Sequence, residues 1–349
     1  MQFGFNFFPS VGPAEMSAER YWAEALHLCG LADELGYTHI RTVEHYFEPY
    51  GGYSPNPIVF LAAASQRTRR ARLITGAVLP IFNNPLKLAG EIGMLDAISG
   101  GRLEVGFARA FLPHEFQRFG RSLDESRARF EEGVQQIRLL LERENATSEG
   151  RFHSFRNVTS LPRPTQKPTP PIWIAAFSTP ESFVAAGKAG HSIMFIAFAG
   201  ERMAELVGQY RAAWRAAGHP GNGRVMIAFS MCCLPGKGEA AAAFRAPINR
   251  YMGALADATA AWLDGSSTKD YPGYDKAMAA VREENFDSQL KRGICWAGTP
   301  DEVAAMIAGY AAQVDFEIAS FQVNPHGMDL ATAERSIRLF AREVMPRIA

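Results

Sequence analysis

The chain has 349 residues, of which 47% are hydrophobic and 21% charged, ordinary values for a well-packed globular protein. Lys and Arg together number 36, and so do Asp and Glu, so there is no net charge to attract nucleic acid or an anionic membrane. No apolar run approaches the roughly 20 residues that a membrane helix needs, and we therefore expect neither nucleic-acid nor membrane partners.

Targeting and redox features indicate a cytoplasmic protein. The residues after Met1 enter a strand-like segment without the basic start of a signal peptide. The four cysteines form no CxxC pair, so the sequence indicates neither a zinc site nor a disulfide framework. No HExxH motif or carboxylate–histidine cluster is present, and we expect no catalytic metal.

Strand-like and helix-like segments alternate along most of the chain. The pattern predicts strands at 3–8, 38–43, 73–79, 103–107, 172–176, 193–196, 224–234 and 316–323. It predicts helices at 17–35, 58–65, 85–98, 122–141, 180–189, 202–217 and from about 329 onward. Eight strands with intervening helices favour a closed (β/α)8 TIM barrel. An open doubly wound sheet is disfavoured because no GxGxxG follows the first strand.

Two segments interrupt this alternation and are interpreted as insertions in one domain that spans residues 1–349. The first, at about 144–171, is rich in proline and cannot be a helix or a central strand. The second, at about 255–292, contains Gly265-Ser266-Ser267 and a helical stretch at 275–284. Long insertions in barrels often act as lids, so we expect a lid here, with a passive surface excursion as the alternative.

His45 is the first candidate for chemistry. It follows the predicted strand at 38–43, and in a β/α barrel the loops after the strands form the active-site mouth. A histidine titrates near neutral pH and can exchange a proton with a reacting group. The alternative is a histidine that caps local backbone groups. Glu44 could orient His45 or pair with Arg41.

Two further strand ends carry candidate cofactor contacts. In Thr75-Gly76-Ala77, a glycine within a strand indicates close approach of a ligand or of another backbone, and a flat flavin ring needs such a shelf. The alternative for Gly76 is a packing contact with a neighbouring helix. Arg109 follows the strand at 103–107, and its guanidinium geometry suits a phosphate. The alternative for Arg109 is a salt bridge to Glu115.

A fourth strand end is followed by a predicted helix N-terminus. The run Ala176-Phe177-Ser178-Thr179 leads into a helix that begins at Pro180, with Ser182 on its first turn. Free backbone N–H groups and two hydroxyl groups at this position can bind an anion. Simple N-capping by Thr179 is the alternative, and it is compatible with phosphate binding.

Taken in this order, the segments resemble the bacterial luciferase-like flavin monooxygenase family. The run at 43–47, Val-Glu-His-Tyr-Phe, resembles the family's Val-Glu-His-His-Phe signature, with His45 on the first histidine and Tyr46 in place of the second. The run at 75–80 resembles the strand that carries a non-proline cis peptide beneath the flavin. The run Leu-Asp-Ala-Ile-Ser-Gly-Gly-Arg at 95–102 resembles the family's most recognisable segment.

The same resemblance assigns the phosphate contacts. Arg109 matches the arginine that holds the flavin phosphate, and Thr179 and Ser182 match the hydroxyl pair. Ala108 stands where the luciferase α-type subunit has a reactive cysteine, and so argues against light emission. The run Gly-Thr-Pro at 298–300 resembles the family's late helix start.

The resemblance implies a monooxygenase that binds reduced FMN and oxygenates a small organic substrate through a flavin C4a-peroxide. It further implies molecular oxygen as co-substrate, a separate NAD(P)H:flavin reductase, a homodimer and a role in secondary metabolism. Alternatives are an F420-dependent dehydrogenase or reductase on the same barrel, and a non-catalytic flavin-binding relative. Residues expected to line the substrate pocket are Phe8, Glu44, Tyr46, Ala108 and Phe111.

Overall fold

The computed structural model describes residues 1–197, 200–264 and 268–348. The strands are β1 (Gln2–Phe7), β2 (His39–Thr42), β3 (Arg72–Thr75), β4 (Leu103–Phe107), β5 (Ala146–Glu149), β6 (Ser154–Val158), β7 (Ile172–Ala175), β8 (Ser192–Ile196), β9 (Val225–Cys233), β10 (Cys295–Gly298) and β11 (Ile318–Gln322).

The helices cover most of the remaining described residues. They are α1 (Ala18–Leu35), α2 (Pro57–Ser65), α3 (Pro85–Ile98), α4 (Pro113–Arg118), α5 (Ser126–Glu142), α6 (Pro180–Ala189), α7 (Gly200–Ala216), α8 (Glu239–Ala258), α9 (Tyr274–Arg282), α10 (Phe286–Lys291), α11 (Pro300–Ala311), α12 (Leu330–Glu343) and α13 (Met345–Ile348). Within the described ranges, no helix combines the length and apolarity needed to cross a membrane.

Eight parallel strands close into a barrel in the order β1-β2-β3-β4-β7-β8-β9-β11, and β11 pairs with β1. Each of the eight predicted strands provides one of them, so the predicted (β/α)8 TIM barrel is confirmed. Burial explains why these segments form strands, because five of the six residues of β1 and all nine of β9 are buried. Parallel strands covered on both faces are expected to be apolar throughout.

Local sequence determines where the helices begin and end. The Ser17 hydroxyl caps α1 by accepting from the Arg20 backbone N–H, and Gly36 ends the helix with a φ of 80°. Glycine adopts that left-handed conformation without a steric penalty. Because α1 ends at Gly36, β2 begins three residues later. The C-terminal end of β2 lies at the barrel mouth, and His45 follows it.

Several elements were not predicted, among them β5, β6, β10, α4, α8 and α10. Strand β10 pairs with β9 beyond the stretch where β9 contacts β8. The antiparallel hairpin β5–β6 lies within the proline-rich insertion, where Phe155 packs into the core. Helix α8 precedes the second insertion and has Pro247 within it.

Strand β3 is shorter than predicted because it ends at Thr75 instead of continuing to residue 79. The peptide bond between Gly76 and Ala77 is cis, and beyond it a single bridge joins Val78 to Phe107. The resemblance implied a cis peptide in this segment, and the structure has one.

The second insertion contains the end of α8, a short 3-10 helix at Ala260–Trp262, and α9 and α10. The predicted helical stretch at 275–284 corresponds to α9. The Gly265-Ser266-Ser267 segment lies outside the described residues.

Candidate active site

A cavity of about 420 Å³ opens at the C-terminal ends of the barrel strands, and we call it the mouth cavity. Its volume lies within the range of roughly 300–1,000 Å³ that is typical of small-molecule sites. Most of the residues predicted for a site line it, namely Phe8, Glu44, His45, Gly76, Ala77, Ala108, Arg109, Phe111, Ala176, Phe177, Thr179 and Ser182. Twelve residues that the sequence analysis proposed from separate strand ends therefore lie around one cavity.

His45 is held by a carboxylate. Its Nδ1 atom lies 3.1 Å from Oε1 of Glu115, which is fully buried, and the same oxygen accepts from the Tyr46 backbone N–H at 2.9 Å. A carboxylate on Nδ1 fixes the ring orientation and favours the tautomer whose Nε2 carries no proton. No hydrogen bond within the described ranges involves Nε2, so this atom remains available to a bound molecule.

Both suggested partners of Glu44 were wrong. Glu44 neither orients His45 nor pairs with Arg41, because its carboxyl group accepts from the Leu79 backbone N–H at 2.9 Å, from the Asn83 amide at 3.0 Å and from the Tyr46 hydroxyl. Burial raises the pKa of Glu44 to about 7. Through these hydrogen bonds, the Glu44 carboxyl group connects the segment after the cis peptide, which contains Leu79 and Asn83, to the end of β2.

Tyr46 and Thr75 lie outside the mouth cavity, in contrast to their predicted places. The ring of Tyr46 packs edge-on against Phe119, with the ring centroids 4.7 Å apart. The hydroxyl of Thr75 is buried and donates to the Gly106 carbonyl at 2.9 Å, which joins β3 to β4. Both residues support the site without lining it.

The cis peptide forms part of the cavity wall and lies against Arg41. The Arg41 Nη2 atom donates to the Gly76 carbonyl at 2.8 Å. A Cβ atom on Gly76 would lie 1.9 Å from Arg41 Nε, so only glycine fits here. Gly76 thus lets the Arg41 side chain pack directly against the cis peptide, and both residues of that peptide line the cavity.

The other end of the cavity has the features of an anion site. Thr179 precedes α6 without a side-chain capping bond, so its hydroxyl does not make the N-cap considered above. Ser182 lies on the first turn of α6, and Arg109 and Arg127 line the same cavity. The Arg109 Nη1 atom is buried without a hydrogen-bond partner, and within the described ranges neither arginine forms an ion pair.

The salt bridge suggested between Arg109 and Glu115 is therefore wrong, because Glu115 bonds to His45 instead. Arg109 contacts Tyr271, whose ring centroid lies 4.2 Å from the guanidinium carbon. The Tyr271 hydroxyl donates to the Ala110 carbonyl at 2.8 Å, and Trp262 Nε1 donates to the Phe111 carbonyl at 2.9 Å. The second insertion thus packs against the loop after β4 and forms hydrogen bonds with its backbone.

Residues of α9 complete the cavity wall on this side. Tyr274, Met278 and Val281 line the cavity, and the ring of Tyr274 lies 5.8 Å from that of Phe177. We call the segment from Trp262 to Val281, as far as the structure describes it, the roof. The roof packs over the mouth cavity through aromatic contacts.

A second cavity of about 340 Å³ adjoins the first, and we call it the inner cavity. The two share Phe8, Arg41, Val43 and Phe177 as lining residues. Ser178, predicted as a cofactor contact, lines only the inner cavity.

Sequence reasoning did not assign a functional role to Glu115, Arg127 or Arg41. Glu115 was considered only as a partner of Arg109, Arg41 only as a partner of Glu44, and Arg127 was not singled out. Arg127 lies 18 positions after Arg109 on the first turn of α5. An arginine near the start of a helix is unusual, because its charge opposes the helix dipole, and this signal could have identified it.

The remaining titratable candidates lie in other environments. All four cysteines are free and buried, and burial raises the pKa of Cys232 to about 12. His191 lines the mouth cavity at its α6 side, and burial lowers its pKa to about 4. Within the described ranges, no group of three or more His, Cys, Asp or Glu side chains could hold a metal ion.

The chain resembles known proteins in both sequence and fold. A family model described as luciferase-like monooxygenase matches residues 1–315. The crystal structure of monooxygenase RslO1 from Streptomyces bottropensis is 43% identical, covers 100% of both chains and superposes with a TM-score of 0.90. The oxygenating constituent of 3,6-diketocamphane monooxygenase from Pseudomonas putida, in complex with FMN, is 21% identical and covers 100% of this chain and 99% of that one. Its TM-score of 0.84 shows a shared fold.

Among curated sequences, the oxygenase component of the flavin-dependent trigonelline monooxygenase from Acinetobacter baylyi is 34% identical over 203 residues. That match covers 57% of this chain and 56% of the relative. The chain spans about half the length of the curated relatives it matches.

Proposed function

The chain belongs to the luciferase-like monooxygenase family, and from this premise we propose that it binds reduced FMN in the mouth cavity and oxygenates a small organic substrate with molecular oxygen. The observation that carries the proposal is that one cavity joins an anion site, a backbone shelf and a carboxylate-held histidine. The named activities of RslO1 and of the trigonelline enzyme support it.

The residues at the α6 end fit the phosphate of FMN. The buried Nη1 of Arg109 lacks a partner, and a phosphate oxygen is the acceptor that a guanidinium group prefers. Arg127 and the hydroxyl groups of Thr179 and Ser182 supply further donors, and the N-terminal end of α6 favours a negative charge. We assign the phosphate to this group of donors.

The isoalloxazine ring fits against the shelf formed by Gly76 and Ala77, whose own side chains extend no further than the Ala77 methyl group. Reduced FMN, when bound, supplies the electrons that activate molecular oxygen. The chain's own contribution is to position the ring between the shelf and His45 and to hold the substrate nearby.

His45 is assigned to proton transfer. With its Nδ1 hydrogen directed at Glu115, its Nε2 can accept a proton from the reacting group and return it. Glu115 positions the ring and lies beside the positive charge that forms on it. Phe8 and Tyr50, whose ring centroids lie 5.7 and 5.3 Å from that of His45, limit the access of water.

We propose that the roof excludes water during turnover, the role expected for a lid. Its support is the aromatic packing of Tyr271 and Tyr274 against Arg109 and Phe177. Reactive oxygen species formed in a site open to water are lost to side reactions, so exclusion of water serves the reaction.

We also propose two partners. A separate NAD(P)H:flavin reductase is supported by the word "component" in the name of the trigonelline enzyme. A homodimer is supported by exposed apolar side chains on α2 and α3 and in the segment after β6: Val59, Leu86, Met94, Ile98 and Leu161.

The proposal is tested by anaerobic titration with reduced FMN, and separately with reduced F420, followed by admission of ¹⁸O-labelled oxygen in the presence of candidate aromatic substrates. We expect binding of reduced FMN and one labelled oxygen atom in a product. Hydride transfer from F420 without oxygen would show the alternative dehydrogenase. Flavin binding without any product or oxygen consumption above the flavin background would indicate a non-catalytic relative.

A further inference from the structure

Four polar side chains from adjacent barrel strands lie at the same height in the barrel and line the inner cavity. The strand register places Ser230, Gln322, Asn6 and Arg41 side by side on β9, β11, β1 and β2. All four line the inner cavity, and all are at most 8% exposed. We call these four residues the polar floor.

Several atoms of the polar floor have no partner. The Nε of Arg41, the Nε2 of Gln322 and the Oδ1 of Asn6 are buried without a hydrogen bond. Buried polar atoms are nearly always satisfied in folded proteins, by the protein itself, by water or by a ligand. Three unsatisfied atoms around one cavity therefore indicate a site for a polar molecule.

Arg41 differs from the other cations of the inner cavity. Arg202 pairs with Glu205 and Arg292 pairs with Glu284, whereas Arg41 has no carboxylate partner within the described ranges. Its guanidinium group donates a hydrogen bond to the Gly76 carbonyl at 2.8 Å. Water can satisfy an amide such as Gln322, but it does not neutralise a buried guanidinium charge.

The rest of the inner cavity is mainly apolar and aromatic. Tyr251 stands opposite Phe8, with ring centroids 5.4 Å apart, and its ring centroid lies 5.8 Å from that of Tyr50. Burial lowers the pKa of Arg41 to about 10, so the side chain carries its charge at neutral pH. The cavity thus combines aromatic walls with a single unpaired cation at its base.

We propose that the inner cavity is the substrate site and that Arg41 is its specificity-determining residue, selecting a planar aromatic molecule that carries one anionic oxygen group, a carboxylate or a phenolate. The inference rests on the proposed function, because it places this substrate beside the flavin. Asn6, Gln322 and Ser230 line the inner cavity and not the mouth cavity, which favours a substrate over the flavin ring as the partner of Arg41.

The test compares two probes of the same shape, 2-naphthoate and 2-naphthamide, by calorimetric titration into the FMN-saturated protein at pH 7.5. We expect the wild type to bind the naphthoate about 10-fold to 100-fold more tightly, the range expected for a charge-assisted hydrogen bond. Equal affinities for the two probes, or no binding of either, in protein that binds FMN would overturn the inference and leave the proposed function intact.

Variants locate the preference in the structure. Arg41→Met should abolish it, Arg41→Lys should retain part of it, and Arg138→Met, which removes an exposed charge of α5, should leave it unchanged. If Arg41→Met keeps the preference, or loses reduced-FMN affinity instead, the assignment of Arg41 is wrong. Should Arg41→Met not fold, the wild-type comparison and Arg41→Lys still decide. Failure of the wild type to bind FMN would reject the proposed function, and the two probes would then be compared in the flavin-free protein, where the same preference would still support the role of Arg41.

Discussion

The Nδ1 atom of His45 and the Oε1 atom of Glu115 lie 3.1 Å apart, although 70 positions separate the two residues in the chain. His45 follows β2, and Glu115 lies on α4, in the loop region after β4. Convergence of the loops on the barrel mouth brings them together. The pair gives the mouth cavity a histidine whose tautomer and orientation are fixed, as proton transfer requires.

The first prediction concerns His45 itself. His45→Ala should leave the affinity for reduced FMN within a few-fold and lower substrate oxygenation by roughly 10²–10⁴, the usual contribution of general acid–base catalysis. Anaerobic titration and product analysis measure the two effects. His114→Ala is a matched control, because His114 lies next to Glu115 but does not line the cavity. Normal turnover of His45→Ala would reject the assignment.

The second prediction separates positioning from proton transfer. Glu115→Gln keeps the shape of the side chain but can present an N–H group to Nδ1, so the wrong tautomer is stabilised. We expect kcat to fall by roughly 10-fold to 100-fold with little change in KM, and the pH profile to shift. In the double variant with His45→Ala, the Glu115 substitution should add almost nothing. Additive losses would show that Glu115 acts independently of His45.

Much of the site could be predicted because each predicted residue follows a strand, and strand ends converge in a barrel. Arg109, Thr179 and Ser182 line one cavity for that reason. The partners could not be predicted. Glu115 contacts His45 rather than Arg109, and Glu44 bonds Leu79 rather than Arg41, because such choices depend on side-chain directions over distances of a few ångströms.

The same limit applies to the fold. Strand β10 has only four residues, as do the barrel strands β2, β3 and β7, and its last residue already belongs to the Gly298-Thr299-Pro300 helix start. A short run of this kind does not distinguish a strand from a loop. The end of β3 at Thr75 depends on the backbone geometry of the Gly76–Ala77 bond, which no periodicity reveals.

The third prediction concerns the phosphate site. Arg109→Ala and Arg127→Ala should each weaken the binding of reduced FMN by roughly 10-fold to 100-fold, because each removes charge-assisted hydrogen bonds to a phosphate. Anaerobic fluorescence titration measures the affinity. Arg138→Ala removes an exposed α5 charge and should have no effect. Riboflavin, which lacks the phosphate, should bind wild type and variants alike, and a variant that weakens riboflavin equally would contradict the assignment.

The fourth prediction tests the roof. Tyr271→Ala removes both the ring over Arg109 and the hydrogen bond to the Ala110 carbonyl, so water should enter the cavity. We expect several-fold more hydrogen peroxide released per oxygenated product at saturating reduced FMN, and a smaller rise for Tyr271→Phe. Tyr53→Phe removes a similar bond to the Met16 carbonyl outside both cavities and serves as control. Unchanged coupling in Tyr271→Ala would contradict a water-excluding role.

The fifth prediction follows from the raised pKa of Glu44, about 7 in the folded protein against an ordinary value of 4.5. Between these two pH values the folded state binds more protons than the unfolded chain, so stability falls as the pH rises from about 4.5 through about 7. The shift in the pKa of Glu44 from 4.5 to about 7 corresponds to a loss of about 3 kcal/mol in the free energy of unfolding across this pH range. Below this window the carboxyl group is protonated in both states and costs nothing.

Glu44→Gln imitates the protonated form and should remove this pH dependence. We expect its melting temperature to match that of the wild type near pH 4.5 and to exceed it by several degrees at pH 8, measured by differential scanning fluorimetry. Glu144→Gln changes an exposed carboxyl group and should follow the wild type at every pH. A difference between Glu44→Gln and wild type that is constant across this range would show that Glu44 does not titrate there, and that its bonds to Leu79 and Asn83 offset the cost of burial.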